Sequence, residues 1–282
     1  EENRALAFFL PEKEGMEYPT EQQVLDALAA VDAEQIDAYT EEVNNDPLVP
    51  ELNSNVTIKK MQDGVYGTKL ITLSNGIKVH VLHTDYSPNS IAMRAISWGG
   101  SSLYPNSEYN LVDNAHMVQV GGWGQFSAID LQKKLSGKQV SVEPSIADRT
   151  EALHGSCVKK DLETMLQLTY LCFTSPRRDD DAYKSLLERT RNSLKNEDMN
   201  PITALRDSIA SVVYNNNVRA LRMRTEDVDG LDYDRVMEIY KERFANAADF
   251  EFFFVGDVEA DSIAPLLTKY LGSLPVAKKH EK

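Results

Sequence analysis

The side chains best suited to metal or nucleophilic chemistry are five histidines and two cysteines. His116 lies in YNLVDNAHMVQVGG, Tyr109 to Gly122. That stretch predicts a short amphipathic helix ending at a glycine pair, with the imidazole against an apolar stripe. His80 and His83 stand three apart in the predicted strand KVHVLHT, so they point to opposite faces and cannot share a metal. His154 sits beside Gly155 in another predicted strand, and His280 falls in a tail of mixed charge. A zinc ion needs several converging nitrogen, sulfur or carboxylate donors. This scatter offers no such set by spacing. Cys157 and Cys172 match no zinc motif. Cys172, between Leu171 and Phe173, reads as a buried, inert thiol.

Other reactive motifs are missing. There is no Gly-x-Ser-x-Gly elbow and no phosphate-binding glycine loop. GGWGQFS, Gly121 to Ser127, is rich in glycine but follows a helix and lacks the Lys-Ser/Thr pair, which predicts a plain turn. The acidic run Asp179 to Asp181 opens a predicted helix, where it complements the helix dipole.

These residues must be positioned by the elements around them. RALAFFL, Arg4 to Leu10, reads as a strand ended by Pro11. Thr20, with Gln23 three residues on, predicts a capped helix start. NNDPLVPELNSN, Asn44 to Asn55, has the proline and asparagine content of a linker. YGTKLITL and KVHVLHT predict a hairpin turning at Asn75-Gly76. SIAMRAISWGG predicts a further strand; a helix capped by Ser127 and the strands KQVSVEPSI and RTEALHGSCV follow. Then come several helices, the strand DFEFFFVG and a closing helix. Hairpin strands alternating with helical runs predict an α+β fold, an antiparallel or mixed sheet with helices layered on one face. The expected division is 1–62, an extension, and 63–282, the main domain.

Net charge is −14, from 44 acidic and 30 basic residues. Such a surface repels phosphate backbones, so nucleic acid is not an expected partner. No apolar run reaches the roughly 18 residues of a membrane span. The chain opens at Glu1 almost directly in a strand-like run, which reads as a piece of a longer polypeptide.

Three stretches together carry a resemblance: LSNGIKVHVLHTD, the helix bearing His116, and LSGKQVSVEPSIADRTEALHGSCVKKDLETMLQLTYLCFTSPRRD. Over about residues 65–275 the chain resembles the pitrilysin/insulinase family of inverted-motif zinc metallopeptidases. It looks most like the domain that opens the non-catalytic C-terminal half of a long bacterial member. Residues 1–62 resemble the end of the preceding domain and the linker between halves. The resemblance implies a peptidase-like α+β domain. In catalytic members, a helix carries His-x-x-Glu-His and a later helix supplies a further glutamate ligand. Laid over this chain, with NEDMNP as a downstream anchor, the first histidine falls on Val112, the base on Ala115, the second histidine on His116 and the later glutamate on Ser193.

One ligand type of three remains, and alanine cannot move a proton. The expectation is therefore an inactive domain with no metal of its own. Zinc is expected in the catalytic half of the parent protein, which would be this chain's partner along with a peptide substrate. The predicted role is part of a wall enclosing unstructured peptides. Lys138, Val140, Val142 and Ile146 either hold peptide along an edge strand or form a structural edge blunted by Pro144, a residue tolerable only at an edge or bulge. A scaffold subunit without a peptidase partner, or a hydrolase working through a different site, are the alternatives. The sequence leaves the compartment open; the family resemblance offers the bacterial cell envelope or periplasm as one option.

Overall fold

The computed structural model describes residues 5–12, 15–34, 44 and 46–277. The chain divides into two compact units, Glu1–Glu42 and Val43–Lys282.

The first unit is built on helix α1, Glu21–Ala33. Its start is the predicted one: Thr20 accepts from the Gln23 backbone N–H, and the Gln23 side chain accepts from the Thr20 N–H at 2.8 Å. Such a cap contributes about 1 kcal/mol. The predicted strand RALAFFL is not a strand: residues 5–10 form no regular element, and Arg4 lies outside the described residues. A strand exists only through bonds to a neighbour's N–H and C=O groups, and residues 5–10 have none with the other described residues. Leu6, Phe8, Phe9 and Leu10 are exposed.

The second unit carries one seven-stranded sheet. Its strands are β1 (Ile58–Asp63), β2 (Lys69–Leu73), β3 (Lys78–His83), β4 (Ser90–Trp98), β5 (Val140–Ile146), β6 (Thr150–Val158) and β7 (Glu251–Gly256), in the order β1-β2-β3-β7-β4-β6-β5. All neighbours are antiparallel except β3 and β7. The sheet is therefore mixed, and β7, the last strand in the chain, lies at its centre. The β2–β3 hairpin turns where predicted: Gly76 takes φ 96°, and its N–H donates to Leu73 at 3.0 Å.

Alternation divides the sheet into a dry and an open face. Ile71, Val79, Ile91, Ala95, Leu153, Phe252 and Phe254 are fully buried on the first. Helices α4 (Leu162–Thr174) and α8 (Ala260–Tyr270) pack on that face and on each other. Phe173 of α4 meets Phe250 edge-to-face with ring centres 4.9 Å apart, and Phe252 at 6.1 Å. The open face carries alternate residues such as Arg94, Trp98, His154 and Val255. This is the α+β arrangement read from the sequence, with helices layered on one face.

Residues 44–55, predicted as a linker, belong to the second unit. Leu48 and Val49 are buried, and Leu52 and Val56 pack on the core. A division after residue 62 falls within β1, whereas the compact units part between residues 42 and 43. Proline and asparagine suppress regular structure but do not keep neighbouring leucine and valine in water.

Candidate functional site

Two structural features bear on chemistry: the segment around His116 and the free edge of the sheet. The predicted helix over 109–122 is two pieces. Helix α2 spans Tyr109–Asp113, and a tighter 3-10 segment runs Ala115–Gly121. The change occurs at Asn114, with φ −100° and ψ 6°. Its side-chain amide donates to the Asn110 carbonyl at 2.7 Å, beside its own backbone N–H, which donates to the same carbonyl at 3.2 Å. An α-helix keeps positions i and i+4 on one face. That register ends at Asp113, so Val112 and His116 no longer share a face. Val112 is fully buried, while His116 is half-buried and its Nδ1 lies 3.0 Å from the Asp113 carbonyl. Asn114 was not singled out from the sequence, although an Asn inside a short helix is a signal of such a break.

The other motif positions diverge further. Ala115 is fully buried. Ser193 lies on α5 (Asp180–Asp198) and is exposed. The Ala115–Gly121 segment packs against both α5 and β5. A zinc site needs three donors aimed at one point. Two buried hydrocarbon side chains, one imidazole held to a carbonyl and one exposed hydroxyl do not fit the ion. Among the described residues, no three His, Cys, Asp or Glu side chains are placed to hold a metal.

Local electrostatics follow simple causes. Partial removal from water raises the Asp113 carboxyl, the nearby His116 imidazole lowers it, and Asp148 raises it. Burial raises the Cys157 thiol to about 12 and pushes Cys172 higher still. Both thiols are free and buried. His80 stacks on Phe253 at 4.7 Å, and His83 faces Glu259 at 3.3 Å. His280 lies outside the described residues. GGWGQFS is a turn: the Trp123 N–H donates to Phe126 at 3.1 Å, and a Cβ on Gly122 would meet the Phe126 carbonyl at 2.2 Å.

β5 is an edge strand, as its place in the sheet order requires. Gln139 accepts from the Val158 N–H, and the Ala147 N–H donates to Thr150. With the β5–β6 register fixed, the odd positions bond inward to β6 and the even positions turn their backbone groups outward. Val140, Val142 and Ile146 thus present N–H and C=O groups that are unpaired among the described residues. Pro144 has an outward position too, where its missing N–H costs the ladder nothing. Lys138 lies before the strand; its N–H donates to Leu135, and its Nζ donates to Thr164 at 3.1 Å. It is a tether to α4 rather than an edge residue.

Comparison with known proteins meets this geometry directly. No family model matches the chain. The "Probable zinc protease PqqL" of Haemophilus influenzae is 26% identical over 203 residues, covering 72% of this chain and 22% of the relative. The crystal structure of the periplasmic protease PqqL from Escherichia coli superposes with a TM-score of 0.73 at 20% identity, over 93% of this chain and 29% of that one.

The chain is similar to peptidases of the pitrilysin/insulinase type.

A peptidase M16 inactive domain from Pseudomonas fluorescens shares the fold, with a TM-score of 0.59 at 13% identity, over 76% of this chain and 53% of that one. The curated relatives it matches are named zinc proteases or probable zinc proteases. The chain spans about a fifth of the length of the curated relatives it matches. Among the described residues, no helix is long and apolar enough to cross a membrane.

Proposed function

We propose that this chain is a non-catalytic domain of a longer zinc endopeptidase, forming part of the chamber that holds unstructured peptides while another half carries the zinc. The observation that carries the reading is the pairing of a free β5 edge with motif positions that offer no ligand set. An extended peptide can add to such an edge through backbone bonds, without requiring a particular sequence. Val140, Val142 and Ile146 supply the outward groups. The periplasmic location of the Escherichia coli relative supports the bacterial cell envelope as its compartment.

The test uses the purified chain and a fluorescent unstructured peptide. Anisotropy is expected to report binding, and no hydrolysis is expected with or without added zinc. Val142→Pro removes one outward N–H and leaves the β6 ladder intact. It is expected to weaken binding at least tenfold, about 1.4 kcal/mol, with the unfolding midpoint unchanged. Zinc-dependent cleavage by the chain that disappears in His116→Ala overturns the proposal.

A further inference from the structure

Helix α6, Pro201–Val213, begins at Asn200, whose side chain accepts from the Ile202 N–H. At 100° per residue, Ile202, Leu205, Ile209, Val212 and Val213 fall in one stripe. In a domain helix such a stripe ordinarily faces the core. Here it faces water: these five residues are 54% to 81% exposed, and no residue of α6 is buried. The least exposed positions are Thr203, Asp207, Ala210 and Ser211, on the opposite side.

The inversion has a cause in the ion pairs. Asp207 meets Arg222 at 2.8 Å and Arg224 at 3.3 Å. Arg222 also meets Asp198, at the end of α5, at 2.6 Å. The carboxylate of Asp207 is 13% exposed, so this bond works at reduced solvent screening. These pairs hold the polar side of α6 against the domain and turn its apolar side out.

We infer that the outward stripe of α6 seats a neighbouring domain of the same, longer polypeptide, which lays an uncharged apolar surface on it. The inference rests on the proposed parent protein. Chain length supports that occupant: the curated relatives are four to five times as long as the segment they share with this chain, which makes up 20% to 22% of them. A second copy is disfavoured, because each copy brings a net charge of −14 to the contact.

Ile209→Cys tests this, with Val212→Cys as the independent second probe. Both sites are exposed, so neither substitution disturbs the fold, and the two native thiols are buried. Reaction with a thiol reagent is followed in the 282-residue chain and in the full-length parent polypeptide. The new thiols are expected to react at least fiftyfold more slowly in the parent. Equal rates in the two proteins overturn the inference. So does protection in the chain alone that grows with its concentration, which would assign the stripe to a second copy. Zinc-dependent cleavage by the parent is measured alongside; a protected thiol in a parent that cleaves nothing leaves this seat in place and refutes only the peptidase reading.

Discussion

Ala115→Glu is expected to destabilise the domain by about 3–5 kcal/mol instead of restoring a catalytic base. Ala115 is fully buried, in a 3-10 segment clamped between α5 and β5. A carboxylate there would be cut off from water, and an unpaired buried charge costs several kcal/mol. Domains of this size are stable by only about 5–15 kcal/mol. Urea unfolding should therefore show a large loss, and no zinc should bind. Ser193→Glu, at an exposed position, should change stability by less than about 0.5 kcal/mol. The pH dependence carries the sign of the effect. Burial would raise the new carboxyl above its ordinary value near 4.3. The folded state then tolerates the protonated form, so the difference from the parent chain should be smallest below about pH 4 and grow as pH rises through the raised value. An Ala115→Glu variant as stable as the original at pH 8 would show that the position is not the sealed one described here.

Some of this site was legible from residue types alone. Val112 and Ala115 are hydrocarbon, and no arrangement of the backbone lets them bind a metal. The break at Asn114 was not legible, because the periodicity of Leu111, Val112, Ala115 and Val118 is satisfied by a helix. At that position one amide side chain adds a second donor to the Asn110 carbonyl, a contact that hydrophobic spacing does not report. Local signals elsewhere translated well. Thr20 with Gln23 formed a capping box, and Ser127 formed one with Asp130. These are contacts three residues apart, and the sequence contains both partners.

Nonlocal features were harder to read. RALAFFL has the composition of a strand but no partner among the described residues to make it one. Leu48 and Val49 sit among prolines that suggest a free linker, yet the core beside α4 takes them. α6 is the sharpest case. Its periodicity predicts an inward apolar face, and the ion pairs from Arg222 and Arg224, ten or more residues downstream, reverse it. Hydrophobic spacing reports that a stripe exists but not which side of the helix the rest of the chain will hold.

The centre of the sheet is where one substitution should travel furthest. Phe252→Ala is expected to cost about 3–5 kcal/mol. Its ring is fully buried on β7 and packs near Phe173 and Phe250. Phe253 is the control, one residue along on the open face, stacked on His80 with the rings 10° from parallel. Phe253 is half-buried there, so Phe253→Ala gives up that contact and a partial burial, about 1–2 kcal/mol. The two variants should differ by roughly 1–4 kcal/mol in urea unfolding; equal losses would mean the two faces are not dry and open as assigned. The consequence for peptide binding follows from topology. β7 alone joins β1-β2-β3 to β4-β6-β5, and the second group carries the proposed binding edge. Loosening β7 removes the support beneath β4 and, through β6, beneath the β5 edge. Peptide affinity in Phe252→Ala should accordingly fall along the unfolding curve, reaching zero where the sheet is lost, although residue 252 is three strands from the peptide.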